Sequence, residues 1–420
     1  MRLTPVMLAL LLALSPGAVA VQASAPTAPA PARNASLTPV SMNDSLAQTD
    51  GGTIRLSVDG NTTNVTTLGS EPARTAFDTP SISLGSSLTI NRDEFETKLN
   101  RNVLDRQLRS AETIEKKKQI LNRYRYQIEN HIISLKARER QATQAFTNGT
   151  ISASEYLRTL GHIDAKAGEI RTLVDTLRSR ADSIPRVTMD TESYSLNGKL
   201  VMLEGPVRDR LSATVQGQKS STRTYVATNE DGVVLASILN GQYVREIVRK
   251  DRRNPALSDK STIGSARDSI IERYRWAFDN RRSTGTNQQY GTNNIYRMWI
   301  KHTHGELVAY YDGGTESVFR EIQYKRLTGD TPLPTGPSAT NTSENLTVTV
   351  NRTYAGGPLR VELTNETGAP VSGEVRIDGE LVGRTNAEGF LWTLSPADRF
   401  EVRASYDFRT VNLTATPVQS

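Results

Sequence analysis

The chain has 420 residues, 51 basic against 45 acidic for a formal charge of +6, 36% apolar residues and no cysteine. The lack of cysteine excludes disulfide staples, thiolate metal sites, cysteine nucleophiles and a lipid-modified N-terminal cysteine. The positive excess falls between residues 91 and 330 and the flanks are slightly acidic, a balance that serves solubility first and contact with anionic surfaces or glycans second.

Residues 1–23 carry the three parts of a cleavable signal peptide: Arg2, an apolar run from Val6 to Leu14, and small residues Ala18-x-Ala20 after a Pro16-Gly17 break. The run is about half the ~20 residues that a bilayer-crossing helix needs. Cleavage after Ala20 or Ala23 is therefore expected, leaving no transmembrane anchor in the mature chain and a secreted or cell-surface location. Residues 24–50, rich in Ala, Pro, Ser and Thr without hydrophobic periodicity, read as a disordered spacer. Within 51–90, TIRLSV at 53–58 and SISLGSSLTI at 81–90 alternate like short strands.

Residues 91–186 are poor in glycine and rich in charge, with apolar residues at helical spacing. Phe95, Leu99, Val103 and Leu108 open the stripe. Leu121, Tyr124, Ile128, Ile132, Leu135, Ala142 and Phe146 continue it to a turn at Asn148-Gly149. Ser152-Ala-Ser-Glu155 forms a capping box, and a second stripe runs from Tyr156 to Ile184 before Pro185. The expectation is an antiparallel coiled-coil hairpin of two helices, with self-association through the same stripes as a further option. The basic run Lys116-Lys117-Lys118 is interleaved with Glu112 and Glu115, which marks a solvated helix face and no nucleic-acid site.

Residues 187–328 contain one pattern twice. Gly232, Leu235 and Ala236 align with Gly305, Val308 and Ala309, and Val244-Arg245-Glu246-Ile247 with Phe319-Arg320-Glu321-Ile322 after a turn two residues longer. Each copy reads as a helix followed by three strands, and Asn240-Gly241, His304-Gly305 and Asp312-Gly313-Gly314 supply hairpin turns. Two such copies can share one sheet. The arrangement, with YDGGTESVFRE at its end, is similar to the PepSY-type modules of exported proteins, some of which restrain peptidases. Residues 329–344 form a linker rich in Pro and Thr, and 345–420 alternate in six or seven short stretches that read as a β-sandwich.

Ten Asn-x-Ser/Thr sequons begin at Asn34, Asn43, Asn61, Asn64, Asn148, Asn341, Asn345, Asn351, Asn365 and Asn412, and none falls between 149 and 340. Attached glycans must face solvent, so the distribution predicts exposed terminal regions around a compact middle.

The string GAPVSGEVRIDGELVGRTNAEGFLWTL resembles the carboxypeptidase-regulatory-like, transthyretin-like β-sandwich family at Gly373, Val375, Gly379, Gly383, Thr385, Asn386 and Gly389. Together with LEGPVRDR at 203–210 and YDGGTESVFREIQ at 311–323, the whole resembles an uncharacterised family of secreted haloarchaeal proteins. The resemblance implies architecture and export only. One departure is plain: such proteins are strongly acidic, whereas this chain is basic. The fold class expected is α+β and multidomain: helical hairpin, duplicated module and terminal Ig-like or transthyretin-like sandwich.

No Gly-x-Ser-x-Gly elbow, His-Glu-x-x-His pair or phosphate-binding Gly-rich loop occurs, and there are four histidines. The metal candidates are His302, His304, Glu306 and Asp312; against them, the two histidines flank a hairpin turn and read better as surface residues. The leading expectation is a non-enzymatic binding or structural protein without a cofactor, whose partner is an extracellular protein or surface glycan. Restraint of an exported peptidase and metal-dependent hydrolysis are the alternatives.

Overall fold

A computed structural model describes residues 48–49, 52–58, 61–289, 294–328 and 333–418. The signal-peptide segment, nearly all of the spacer, and Asn34 and Asn43 lie outside these. The helical region holds three long helices where two were expected: α1 (Leu84–Ser110), α2 (Ile114–Thr147) and α3 (Ala153–Asp182). Each starts at a hydroxyl cap, since Ser83, Thr113 and Ser152 accept hydrogen bonds from the backbone N–H of Ser86, Lys116 and Glu155. The Ser83 cap draws 84–90, expected as strand, into α1.

α3 lies at the centre. Its row Ile163, Ala167, Ile170, Val174, Leu177 and Ala181 is buried against α1, α2 and a shorter helix, α4 (Asp190–Leu200). Phe95 and Leu99, expected in the packed stripe, face solvent instead. The row of α1 that is buried runs through Ile90, Thr97, Leu104 and Leu108, because α1 carries two apolar rows and only one meets α3.

A short hairpin precedes the bundle: β1 (Gln48–Thr49), β2 (Thr53–Val58) and β3 (Asn61–Thr66) form a three-stranded sheet. The central sheet has eight antiparallel strands. They are β4 (Arg74–Asp78), β5 (Thr224–Thr228), β6 (Gly232–Leu239), β7 (Gln242–Arg249), β8 (Arg281–Gln289), β9 (Ile295–His302), β10 (Gly305–Asp312) and β11 (Ser317–Arg326). The order is β4-β5-β6-β7-β11-β10-β9-β8. Two four-stranded halves thus join through β7 and β11. Each half holds one strand beyond the expected three. β4 comes from far upstream, and β8, RRSTGTNQQ, has no apolar alternation to reveal it.

The internal match slips by one residue at a β-bulge. Tyr310 pairs with Arg320 but Tyr311 with Val318, so Phe319 is the extra residue. Beyond it, Gly232 pairs with Arg249 as Gly305 pairs with Lys325. Arg245 therefore corresponds to Glu321, and the shared Arg-Glu-Ile string puts its residues on opposite faces. The helices also break the repeat. α5 (Pro206–Val215) packs Val207 and Leu211 on Val226, Val233, Leu235 and Val244. In the second half, α6 (Ile263–Arg273) and α7 (Arg275–Asp279) lie on the other face, where Ala266, Ile270 and Tyr274 meet Met298, Ile300 and Ala309.

Charged groups are buried on both faces of the β7–β11 seam. On one, Glu321 is fully buried and accepts from Arg245 (3.2 Å), the Tyr274 hydroxyl (2.6 Å), the Thr66 backbone N–H (2.8 Å) and Gln323 (2.9 Å). On the other, Arg208 is 1% exposed and lies between Glu139 (2.8 Å) and Glu246 (3.4 Å). Burial pushes the Glu246 carboxyl up in pKa against the opposing pull of Arg208 and Arg320.

The C-terminal region is a sandwich of eight strands, more than the six or seven expected. β12 (Ala339–Ser343), β13 (Leu346–Asn351), β14 (Pro358–Asn365), β15 (Glu374–Ile377), β16 (Glu380–Arg384), β17 (Phe390–Leu394), β18 (Phe400–Tyr406) and β19 (Arg409–Ala415) form sheets β12-β13-β14-β17 and β16-β15-β18-β19. β12 comes from the segment read as linker. Val348, Val361, Val375, Val402 and Val411 fill the space between the sheets. The sandwich seats directly on the central sheet. The Tyr243 hydroxyl donates to the Gly356 carbonyl (3.0 Å), and Gly356, at φ +70°, lies so close to the Tyr225 ring that a Cβ would come within 2.4 Å of it.

Replacing Glu321 by Ala leaves Arg245 buried without its counter-charge, a loss expected to cost ~3–5 kcal/mol. Urea unfolding checks this; a midpoint like that of the wild type would show the pair to be dispensable.

Candidate functional site

Because α6 and α7 lie on the opposite face from α5, no helix among the described residues lies over the α5 side of the second half-sheet, where Val308 and Ile322 are buried beneath the longer side chains around them. Pairing carries that face from Val244 to Tyr324, Glu306 and Lys301, and in the next rows to Arg297, Trp299, Val308, Tyr310 and Ile322. A groove of about 650 Å³ opens here, lined among others by Arg282, Arg297, Lys301, Tyr310, Tyr324 and Arg326. It shares Gln242, Tyr324 and Arg326 with a second groove of about 560 Å³ beside α5, to which Arg210 and Lys219 contribute. One end is walled by the turn after α4, where Arg320 donates to the carbonyls of Val201 (2.5 Å) and Glu204 (2.6 Å).

The charge on this face is one-sided. Among the described residues, Arg282, Arg297 and Lys301 form no ion pair, and Glu306 is the one acid lining the larger groove. Trp299 lies against the backbone of Gly285, which a Cβ would bring within 2.9 Å of the indole. Arginine forks, an indole and two phenol rings on an uncovered sheet can hold carboxylate or sulfate groups and the apolar faces of rings. The signal was present in the sequence as Arg297-x-Trp299-x-Lys301, three residues on one face of a strand, but nothing there says that the face is open.

Of the residues singled out beforehand, His302 and His304 lie together, with ring centroids 6.0 Å apart, and Glu306 and Asp312 lie away from them. His302 and His304 are buried (8% and 2% exposed), which corrects their reading as surface residues. Trp276 explains it: its ring stacks on His304 (centroids 4.4 Å, 18°) and meets His302 edge-on (5.8 Å). His302 Nδ1 accepts from the backbone N–H of His304 at 3.3 Å. Glu306 lines the groove on the other face of the sheet. Asp312 ends β10, accepting from the backbone N–H groups of Gly314 (2.7 Å) and Thr315 (3.0 Å) and pairing with Arg253. Among the described residues no three His, Asp or Glu side chains form a group that can hold a metal ion.

Of the sequons, Asn148, Asn341, Asn345 and Asn412 are exposed, and Asn61 and Asn365 are half-buried. Asn64 and Asn351 are half-buried as well, and their amides are engaged. Asn64 Nδ2 donates to the Arg273 carbonyl (2.6 Å) and Asn351 Nδ2 to Glu362 (2.7 Å), so exposure does not extend to every sequon.

Burial, reinforced by Lys325 and Arg326, lowers the pKa of His302 to about 3 and that of His304 to about 4, from 6.5. Between these values and 6.5 the unfolded chain binds more protons, so the contribution to stability is fully present above pH 6.5 and is lost as pH falls toward 4. A drop of ~4–6 kcal/mol between pH 7 and 4 is expected from this pair. The double variant His302→Asn, His304→Gln should lose that part of the slope; equal pH profiles for variant and wild type would refute the assignment.

Residues 1–220 match the model of a domain of unknown function (DUF7096), residues 224–329 that of a family of unknown function (DUF7094), and residues 337–413 that of an archaeal fibronectin-III type-like domain. The last differs from the transthyretin-like family that its sequence resembles, while keeping the β-sandwich. The first boundary falls between α5 and β5, so the helix that covers the first half-sheet and the strands beneath it belong to different models. No curated protein and no solved structure matches the chain. Matched over more than half its length, the chain belongs to the DUF7096 family and ends in an archaeal β-sandwich domain.

Proposed function

We propose that the chain is an exported, non-enzymatic binding protein whose uncovered half-sheet holds an acidic glycan outside the cell. The observation that carries the reading is the run of cations without an ion-pair partner among the described residues, Arg282, Arg297 and Lys301, set beside Trp299, Tyr310 and Tyr324 along one groove-bearing face. The five strands from β7 to β8 span about 19 Å at ~4.8 Å per strand spacing, room for several sugar units with their anionic groups in reach of the cations. The export half of the reading rests on residues 1–23 and on the sequons. Hydrolysis by a bound metal is the weaker reading for this site: His302 and His304 lie side by side, but Glu306 lines the opposite face of the sheet and Asp312 pairs with Arg253.

Binding of the mature chain to immobilised polygalacturonate and heparin, with neutral dextran as control, tests the site. The acidic polymers should bind and weaken with salt, and Arg297→Glu with Lys301→Glu should lower affinity about tenfold or more. Equal binding to dextran, or an unaffected variant, would reject it. Glycopeptide mapping of protein from its own source tests export: occupancy is expected at Asn148, Asn345 and Asn412 and not at Asn64, and bare asparagine at all of them would count against it.

A further inference from the structure

Helix α1 has two apolar faces. Ile90, Thr97, Leu104 and Leu108 are buried against the bundle. Leu84, Leu88, Phe95 and Leu99 are 74, 60, 65 and 51% exposed, and at 3.6 residues per turn they fall within an arc of about 60° on the opposite side. A continuous apolar row about 22 Å long on an outer helix face is the mark of a surface that meets another.

We propose that a second copy of this chain covers this row, with α1 packed antiparallel on α1 about a two-fold axis between Asn91 and Arg92. The spacing of the row is the same read from either end, so this axis sets Leu84 level with Leu99 of the other copy and Leu88 level with Phe95. Charge selects the same arrangement. Residues Leu84 to Asn91 carry no charged side chain, whereas Arg92, Asp93, Glu94, Glu96 and Lys98 follow. Antiparallel packing lays the charged half of one copy along the uncharged half of the other. Parallel packing would set Arg92, Glu96 and Lys98 each against its own copy, like charge on like. Asn91 is exposed at mid-row, where a single polar residue in an apolar seam fixes the alignment of the two helices. The patch is the same on both copies, as a closed dimer requires.

Analytical ultracentrifugation of the mature chain should give a dimer. Leu88→Glu with Phe95→Glu should turn it into a monomer, raising the dissociation constant at least a hundredfold, with unchanged helix content by circular dichroism. The absence of native cysteine makes the geometry readable by cross-linking. Under mild oxidation Asn91→Cys should link to itself. Leu84→Cys should not, but should link to Leu99→Cys when the two are mixed. A monomer at 100 μM concentration, a dimer indifferent to the two glutamates, or self-linked Leu84→Cys would each overturn the proposal. So would a monomer that uses the row to bind lipid vesicles.

Discussion

A buried carboxylate with no route to water must have every partner in place, and Glu321 at the centre of the sheet sets that condition for the architecture around it. Besides Gln323 on its own strand, its partners come from three places: Arg245 from the neighbouring strand, Tyr274 from the end of α6, and the Thr66 backbone from the hairpin near the start of the described chain. Removing any of them strands a charge or a dipole in a medium that solvates neither. The hairpin, which buries few apolar side chains of its own, is therefore held by polar groups that have nowhere else to go. On the reverse face, Arg208 imposes the same requirement on α2, α5 and β7 through Glu139 and Glu246.

Much of the fold is legible in residue order because local rules act alone there. Ser152 caps α3, the internal repeat and its turns mark β6, β7, β10 and β11, and Asn240-Gly241 joins β6 to β7. Where local rules conflict, the sequence misleads. The stretch SISLGSSLTI alternates like a strand, yet Ser83 starts a helix within it and the bundle supplies a partner for Ile90. β8 is polar throughout and becomes a strand because β9 offers it a ladder. The repeated Arg-Glu-Ile string suggests equivalent roles, but one bulged residue turns each member to the other face.

The candidate surface was the least legible part, for a physical reason. Arg297, Trp299 and Lys301 alternate as the outer face of any half-buried strand does. Whether such a face is covered depends on which side the next helix takes. That choice is made far away, at the segment from Arg249 to Thr262 that carries the chain from β7 into α6. The histidines failed in the opposite sense: a turn normally lies at the surface, but Trp276 reaches over this one.

Lys325 offers a last consequence. Its ammonium donates to Thr63 (2.5 Å) and to the Tyr354 hydroxyl (3.1 Å), so residues from the beginning, middle and end of the described chain meet at one point. The hairpin, the central sheet and the sandwich therefore share one buried polar contact, complete only when all three are in place. Contacts so distant in sequence carry a large entropic cost before they return anything. Closing this junction is therefore expected to be slow relative to the hairpin turns inside each sheet.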